Sequence, residues 1–155
     1  MNSMNTLINN NTIGSLKPEE TSHAVLVHVS ALSSYIGVPF GSLLGPLIFW
    51  LIWRDQSQYI DTHGKEALNF NLSILIYQIL IVVTGIILFV GSLTGMAATE
   101  AEDPLLIILA LPGVWLLAGA LGLLALIRLI LVIVAAIKAG NGEIYRYPLS
   151  IRLIK

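Results

Sequence analysis

Residues 67–93 read ALNFNLSILIYQILIVVTGIILFVGSL, and a second run of the same kind extends from Leu105 to Ile137. Each run exceeds the roughly 20 residues that an α-helix needs to cross a hydrocarbon core about 30 Å thick. Both runs are apolar on every side, so a water-soluble domain could not bury them. The sequence therefore predicts an all-α integral membrane protein, a helical bundle surrounded by lipid.

The overall composition agrees with this class. Of the 155 residues, 56% are hydrophobic and 11% are charged, and soluble domains carry roughly 25% charged residues. The formal net charge of -1 and the lack of a basic cluster argue against a nucleic-acid partner. The chain has no cysteine, which excludes disulfides, thiolate metal sites and a cysteine nucleophile.

Two shorter apolar segments precede the long runs. Residues 1–17 are rich in asparagine and are predicted to form a disordered tail. Pro18, followed by two glutamates, favours a helix over residues 19–36. The glycines and proline of residues 37–41 should break that helix, and a second one is expected over residues 42–54. Neither helix reaches spanning length, so the region is either a tight hairpin, which we favour, or one broken span.

The remaining boundaries follow from polar residues and helix breakers. The polar loop 54–65 precedes a long helix predicted over residues 66–93, and the last helix is predicted over residues 104–138. Residues 18–138 would then form one transmembrane domain. The tail, residues 139–155, alternates apolar and polar side chains and should lie extended along the membrane surface or along the bundle.

The distribution of positive charges predicts the orientation. Lysine and arginine flank loop 54–65 and recur in the C-terminal tail, whereas loop 94–103 contains three acidic residues and no basic one. Positive charge accumulates on the cytoplasmic side of membranes. We therefore expect loop 54–65 and the C-terminus inside the cell and loop 94–103 outside. The N-terminus would be inside for a hairpin and outside for a broken span.

Arg128 is the strongest candidate for a functional side chain. It lies ten residues before Lys138 on the last helix, about 15 Å deeper in the membrane. A charge near the midplane costs at least ~2.5–3.5 kcal/mol and should face protein or water. We expect Arg128 to reach Tyr77 and Gln78, or else Asn71. Such an arginine either fixes the depth of its helix or belongs to a substrate or ion pathway.

Polar residues also recur along the central helix. Glu66, Asn69 and Ser73 follow each other at helical spacing, with further amides on another side of the helix. Hydrogen bonds between helices, worth ~0.6 kcal/mol each, explain such a row without any functional site. The alternative is a polar cavity open to the cytoplasm and lined by Arg128, Gln78, Tyr77, Asn71 and Asn69.

The start of the central helix contains a second polar group, Asp61, His63, Lys65 and Glu66. We interpret it as a helix cap, with acidic side chains at the positive end of the helix dipole. Acid–base catalysis that also uses His28 is the less favoured alternative. No metal-binding spacing occurs, and we expect no metal, no cofactor and no enzymatic activity.

Two stretches resemble a known family. These are VPFGSLLGPLIFWLIWRDQSQYIDTHGKEALNFNLSILIYQIL at residues 38–80 and IKAGNGEIYRYPLSIRLI at residues 137–154. They are similar to a widespread family of short bacterial membrane proteins of unknown function. That family more distantly resembles the twenty-kilodalton Tic subunit of the chloroplast inner-envelope protein import translocon. The resemblance implies the bacterial cytoplasmic membrane, a hairpin and a cytoplasmic N-terminus.

These observations predict a non-catalytic subunit or scaffold of a membrane complex, and the resemblance implies a translocon-like component. Its expected partners are the lipid bilayer and either a second membrane protein or further copies of the chain. The alternative is a small solute or ion channel or transporter, with its polar cavity around Arg128.

Overall fold

The computed structural model describes residues 16–99 and 112–155. Most of the predicted N-terminal tail, part of loop 94–103 and the first residues of the predicted last helix lie outside these ranges. The described residues contain helices and no strand. The elements are α1 (Pro18–Val29), a 3₁₀ helix (Ser30–Ile36), α2 (Gly41–Trp53), α3 (Gln58–Thr99) and α4 (Pro112–Gly140).

The predicted fold class is confirmed by the two long helices. Gln58–Gly95 within α3 and Gly113–Gly140 within α4 are each long and apolar enough to cross a membrane. Only 11% and 17% of the most apolar window of each helix is buried in the protein. A core helix of a soluble protein would be mostly buried, so these exposed apolar surfaces fit helices that lie in lipid.

The N-terminal region is a hairpin and not one broken span. The ring of His23, near the start of α1, stacks on that of Trp53, at the end of α2, with 3.9 Å between ring centroids. Nearer the turn, Gly45 approaches the backbone of Ser30 so closely that an added Cβ would lie 2.5 Å from its carbonyl oxygen. The turn itself uses two left-handed residues, Gly37 at φ 88° and Phe40 at φ 54°.

The structure differs from the prediction at the start of α3, which begins at Gln58 and not near residue 66. Its first turns are polar and stabilised locally. Thr62 donates to the Gln58 carbonyl, and Lys65 forms an i,i+4 ion pair of 2.6 Å with Asp61. Such pairs stabilise exposed helical turns. The polar stretch that hydropathy assigns to a loop is therefore largely the end of a helix that continues past the apolar segment.

The chain forms two compact units. The first comprises Met1–Ser73 and Leu129–Lys155, and the second comprises Ile74–Arg128. Within the first unit, Val27, Ile60, Phe70 and Val132 are fully buried.

Glycine allows close helix contact in the second unit. A Cβ added at Gly113 would lie 2.6 Å from the backbone nitrogen of Phe89, and one added at Gly85 would lie 3.0 Å from Cβ of Leu117. Small residues at such positions let the backbones of membrane helices approach each other.

Candidate functional site

A buried chain of three polar rings joins distant parts of the first unit. Nε2 of His28, on α1, lies 2.8 Å from Nδ1 of His63, on α3. Nδ1 of His28 lies 3.0 Å from the hydroxyl of Tyr147, in the C-terminal tail. Both histidines are fully buried and Tyr147 nearly so. The structure therefore brings together two histidines that lie 35 residues apart in the sequence.

The distance between the two histidine rings restricts their protonation. Two ring nitrogens 2.8 Å apart need one N–H and one lone pair, so at least one of His28 and His63 is neutral. A buried charge without a nearby counter-charge is costly, which favours neutral rings throughout. Among the described residues, Nε2 of His63 is buried and has no hydrogen-bond partner.

Aromatic rings enclose this polar chain. Phe70 stacks on Tyr147 with 4.0 Å between centroids, and Tyr59 packs edge-on against His63 at 4.5 Å. The Tyr59 hydroxyl donates to the carbonyl of Ala139, near the end of α4, at 2.6 Å. Next to this group, burial raises the pKa of the Tyr145 phenol. The surroundings thus exclude water from the imidazoles and fix their orientation.

Asn69 holds the C-terminal tail against α3. Its Nδ2 donates to the carbonyl of Ile154 at 2.8 Å, and its Oδ1 accepts from the amides of Leu153 and Ile154 at 3.0 and 2.7 Å. Asn69 is 2% exposed. Because it bonds only backbone atoms of the tail, it orders this segment independently of the tail side chains.

Two further side chains of the same helical row contact the tail. The Ser73 hydroxyl accepts from the amide of Ile151 at 2.7 Å, and Oε1 of Glu66 lies 3.7 Å from the guanidinium of Arg152. The row predicted to bond neighbouring helices therefore bonds an extended segment. Within the first unit the tail therefore lies along α3, and its position relative to the membrane surface stays a prediction.

His63 belongs to the second polar group predicted at the start of the central helix. The other residues of that group bond partners other than the two imidazoles. Asp61 accepts from the indole N–H of Trp50 at 2.9 Å and pairs with Lys65. Trp50 lies against Gly64, where a Cβ would overlap its ring. Asp61, Lys65 and Glu66 line one open polar cavity together with Arg152, whereas His63 is buried against His28. A ligand role for this group stays a prediction.

The predicted membrane-embedded cluster is divided between the two units. Arg128 is 6% exposed and, like Tyr77 and Gln78, belongs to the second unit, whereas Asn69 and Asn71 belong to the first. The Asn71 amide donates to the Ala67 carbonyl of its own helix at 2.8 Å. The contacts predicted for Arg128 and its role stay predictions.

Sequence reasoning missed Tyr147 and the bond between the two histidines. Both depend on pairings across 119 and 35 residues, which hydropathy and spacing do not encode. The helical row at positions 66, 69 and 73 was a usable signal for the tail contact. Among the described residues, no group of three or more His, Cys, Asp or Glu side chains could hold a metal ion.

The described residues form two long helices with exposed apolar surfaces and a polar cluster buried within one compact unit. These features define a small α-helical membrane protein. Over residues 19–154 the chain matches the model of the magnetosome magnetite crystal formation protein family (MamF_MmsF), and it belongs to that family. This agrees with the predicted membership of a family of short membrane proteins. No curated protein and no solved structure shows significant similarity to the chain. The matches do not include the Tic subunit.

Proposed function

We propose that this chain is a non-catalytic membrane protein that acts as a small subunit or scaffold. It would work through contacts within the bilayer, with copies of itself or with another membrane protein. The cytoplasmic membrane and the predicted orientation belong to the same proposal. The resemblance to a translocon component describes a role of this kind, and the comparisons add no support for it.

The use of the polar side chains carries the proposal. Both ring nitrogens of His28 are engaged by neighbouring side chains, and Asn69 makes three bonds to the tail. A general base or a ligand-binding amide needs a nitrogen or oxygen directed at its substrate. The polar groups instead connect the hairpin, α3 and the tail, which is a structural use of their hydrogen bonds.

An open face on α4 supplies a surface for association. A Cβ added at Gly119 or Gly122 would meet no atom within 4 Å, whereas Gly85 and Gly113 are packed against neighbours. Leu116 is 59% exposed on the same helix. Small residues on an exposed membrane helix permit close approach of a second helix.

Co-purification tests the proposal. Two copies with different affinity tags would be expressed together, extracted in mild detergent and reconstituted in nanodiscs. We expect the copies to purify together, or each to retain the same membrane protein reproducibly. Recovery of a lone monomer under all conditions would contradict a scaffold role.

A paired substitution locates the contact. Gly119→Leu with Gly122→Leu should abolish the association, because the added side chains keep a second backbone away. Leu116→Ile with Leu123→Ile, on the same helix, conserves volume and serves as the matched control. If the glycine pair leaves the association intact, the contact lies elsewhere on the protein.

The alternative function, a solute or ion pathway, makes a different prediction. Cysteines placed at Gln78 and Asn71 in this cysteine-free chain would react with a water-soluble maleimide if a hydrated cavity reached them. Asn71 is 2% exposed and bonds its own helix, and Gln78 lies within the apolar run of residues 67–93, so we expect protection at both positions. Labelling at depth would favour the pathway.

The family description adds a biological setting, magnetite crystal formation. If this chain shares that process, a membrane scaffold would organise the surface beside which the crystal grows. Expression in a magnetite-forming host that lacks its own family members tests this setting. Restored crystals would support it, and unchanged defects with an intact membrane assembly would restrict the chain to the scaffold role.

A further inference from the structure

The hairpin of α1, the 3₁₀ helix and α2 has a markedly apolar sequence. Residues 24–53 contain no Asp, Glu, Lys or Arg, and the nearest of these residue types on either side are Glu20 and Arg54. The titratable His28 within it is fully buried. Near the turn, Ile36 is 82% exposed and Phe40 is 71% exposed. Such a surface is unfavourable in water.

Several polar groups near the turn form hydrogen bonds within the hairpin. The hydroxyls of Ser30, Ser33 and Ser34 donate to the carbonyls of the residues three positions earlier, at 2.8, 2.7 and 3.3 Å. In the turn, the amide of Val38 donates to the Ser33 carbonyl at 3.2 Å, and that of Gly41 to the Val38 carbonyl at 3.0 Å. Hydrocarbon requires internal bonding of this kind, because it offers no water as a partner.

The arms of the hairpin are too short to cross a bilayer. The 13 residues of α2 extend about 20 Å at 1.5 Å per residue. In the other arm, Ala24–Val29 adds about 9 Å in α-helical form and Ser30–Ile36 about 14 Å as a 3₁₀ helix. The hydrocarbon core is about 30 Å thick. Even upright arms would therefore end about 7–10 Å before the far side of the core.

The open end of the hairpin, where the first arm begins and the second arm ends, carries residues suited to a membrane surface. His23 stacks on Trp53 at the open end of the hairpin, and Trp50 bonds Asp61 in the first turns of α3. Arg54 lies over the Trp50 ring at 5.3 Å. Tryptophan and arginine of this kind concentrate at the boundary between lipid and water. The open end of the hairpin thus has an interfacial composition and the turn has a hydrocarbon one.

We propose that residues 24–53 form a re-entrant hairpin. It enters the bilayer from one surface, turns inside the hydrocarbon at residues 37–40 and returns to the same surface. Its exposed apolar face is covered by lipid acyl chains. The N-terminus and residues 54–57 then lie on one side of the membrane, and the hairpin adds no complete crossing.

Single-cysteine labelling tests this arrangement, because the chain provides a cysteine-free background. Ser22→Cys and Gln56→Cys flank the hairpin, Val38→Cys marks its turn, and Thr94→Cys marks the far end of α3. Sealed vesicles with the protein in one orientation would be treated with a membrane-impermeant maleimide from either side. We expect Ser22→Cys and Gln56→Cys to react from the same side, Thr94→Cys from the other, and Val38→Cys from neither.

A depth measurement identifies what covers the turn. Bimane attached at Val38→Cys before reconstitution should be quenched most by phospholipids brominated deep in the acyl chain. A bimane at Gln56→Cys is the matched control and should be quenched most by headgroup-proximal labels. Ile36→Cys, also exposed at the turn, replaces Val38→Cys if that variant fails to fold.

Four outcomes would overturn the proposal. Labelling of Val38→Cys from the side of Thr94→Cys would show two full crossings, and labelling of Ser22→Cys and Gln56→Cys from opposite sides would show a broken span. A turn that reacts from the side of Gln56→Cys lies in water. A turn that neither reacts nor is quenched by brominated lipid is covered by protein, such as a second copy.

Discussion

The contact between Asn69 and the tail yields the most specific prediction. Substitution Asn69→Ala removes one donor and one acceptor that together make three hydrogen bonds to the backbone of residues 153 and 154. The fold of α3 does not depend on this side chain, and alanine favours helix. The variant should therefore loosen the tail without unfolding the helix.

The size of the effect follows from the three bonds. Each contributes about 0.5–1.5 kcal/mol net in a folded protein, and bonds between membrane helices average about 0.6 kcal/mol. Leu153 is 53% exposed, so its freed amide gains bonds to water, which places the loss in the lower half of the range. We expect about 1.5–3 kcal/mol, or roughly 12- to 140-fold more frequent opening of the tail.

Native-state hydrogen exchange of the reconstituted protein measures that opening. The amides of Leu153 and Ile154 should exchange faster in Asn69→Ala by this factor, while amides in the middle of α4 keep their protection. Asn71→Ala is the matched control, because Asn71 is equally buried and bonds only its own helix. If amide exchange is unchanged in Asn69→Ala, or is accelerated equally in the control, Asn69 does not hold the tail against α3.

Three further predictions follow from the first unit. Tyr147→Phe keeps the aromatic ring but leaves a nitrogen of His28 without its partner, so the thermal midpoint in detergent should fall by the equivalent of about 1–3 kcal/mol; an unchanged midpoint would count against the buried chain. Gly64→Ala places a methyl group against the Trp50 ring, and tryptophan fluorescence should report its displacement; an unaltered spectrum would contradict that contact. A backbone amide at the start of α1 lowers the pKa of Glu20, so its stabilising effect is present above the pKa of the unfolded carboxyl and disappears as pH falls through the lowered folded value. The NMR shift of the Lys17 amide, which donates to the Glu20 carboxylate, should therefore change with acid in the natural protein and change much less in Glu20→Gln, where Glu19 is the remaining acid of the first turn.

Hydropathy predicted the long helices because a lipid environment imposes one simple requirement on the sequence. A spanning helix must be apolar over its whole length, so residues 67–93 and 105–137 are recognisable without any knowledge of their neighbours. The hairpin was also accessible, since Gly37 and Pro39 interrupt an apolar run that is too short to cross. The start of α3 was not, because a helix that continues into water carries the same polar residues as a loop.

The buried polar contacts of the first unit were less predictable, because the residues that form them are distant in the sequence. The helical row containing Asn69 and Ser73 indicated a polar contact, but helical spacing does not distinguish a neighbouring helix from an extended tail. His28 and His63 were grouped only as a less favoured catalytic alternative, because spacing along the sequence does not show that the two rings meet across two helices. Uniformly apolar helices also leave their rotation about the axis unspecified by hydropathy.

The position of the hydrogen bonds explains why this unit needs polar residues at all. Between helices in lipid, burial of apolar surface provides little driving force, since acyl chains are as apolar as leucine. The specific association of the hairpin, α3 and the tail must then come from close packing and from the hydrogen bonds of His28, Asn69 and Tyr147. Under the proposed scaffold role, we expect partners to bind the exposed apolar surfaces of α3 and α4. If the chain acts as the proposed scaffold, we expect its specificity to depend on the shape of these lipid-facing helices.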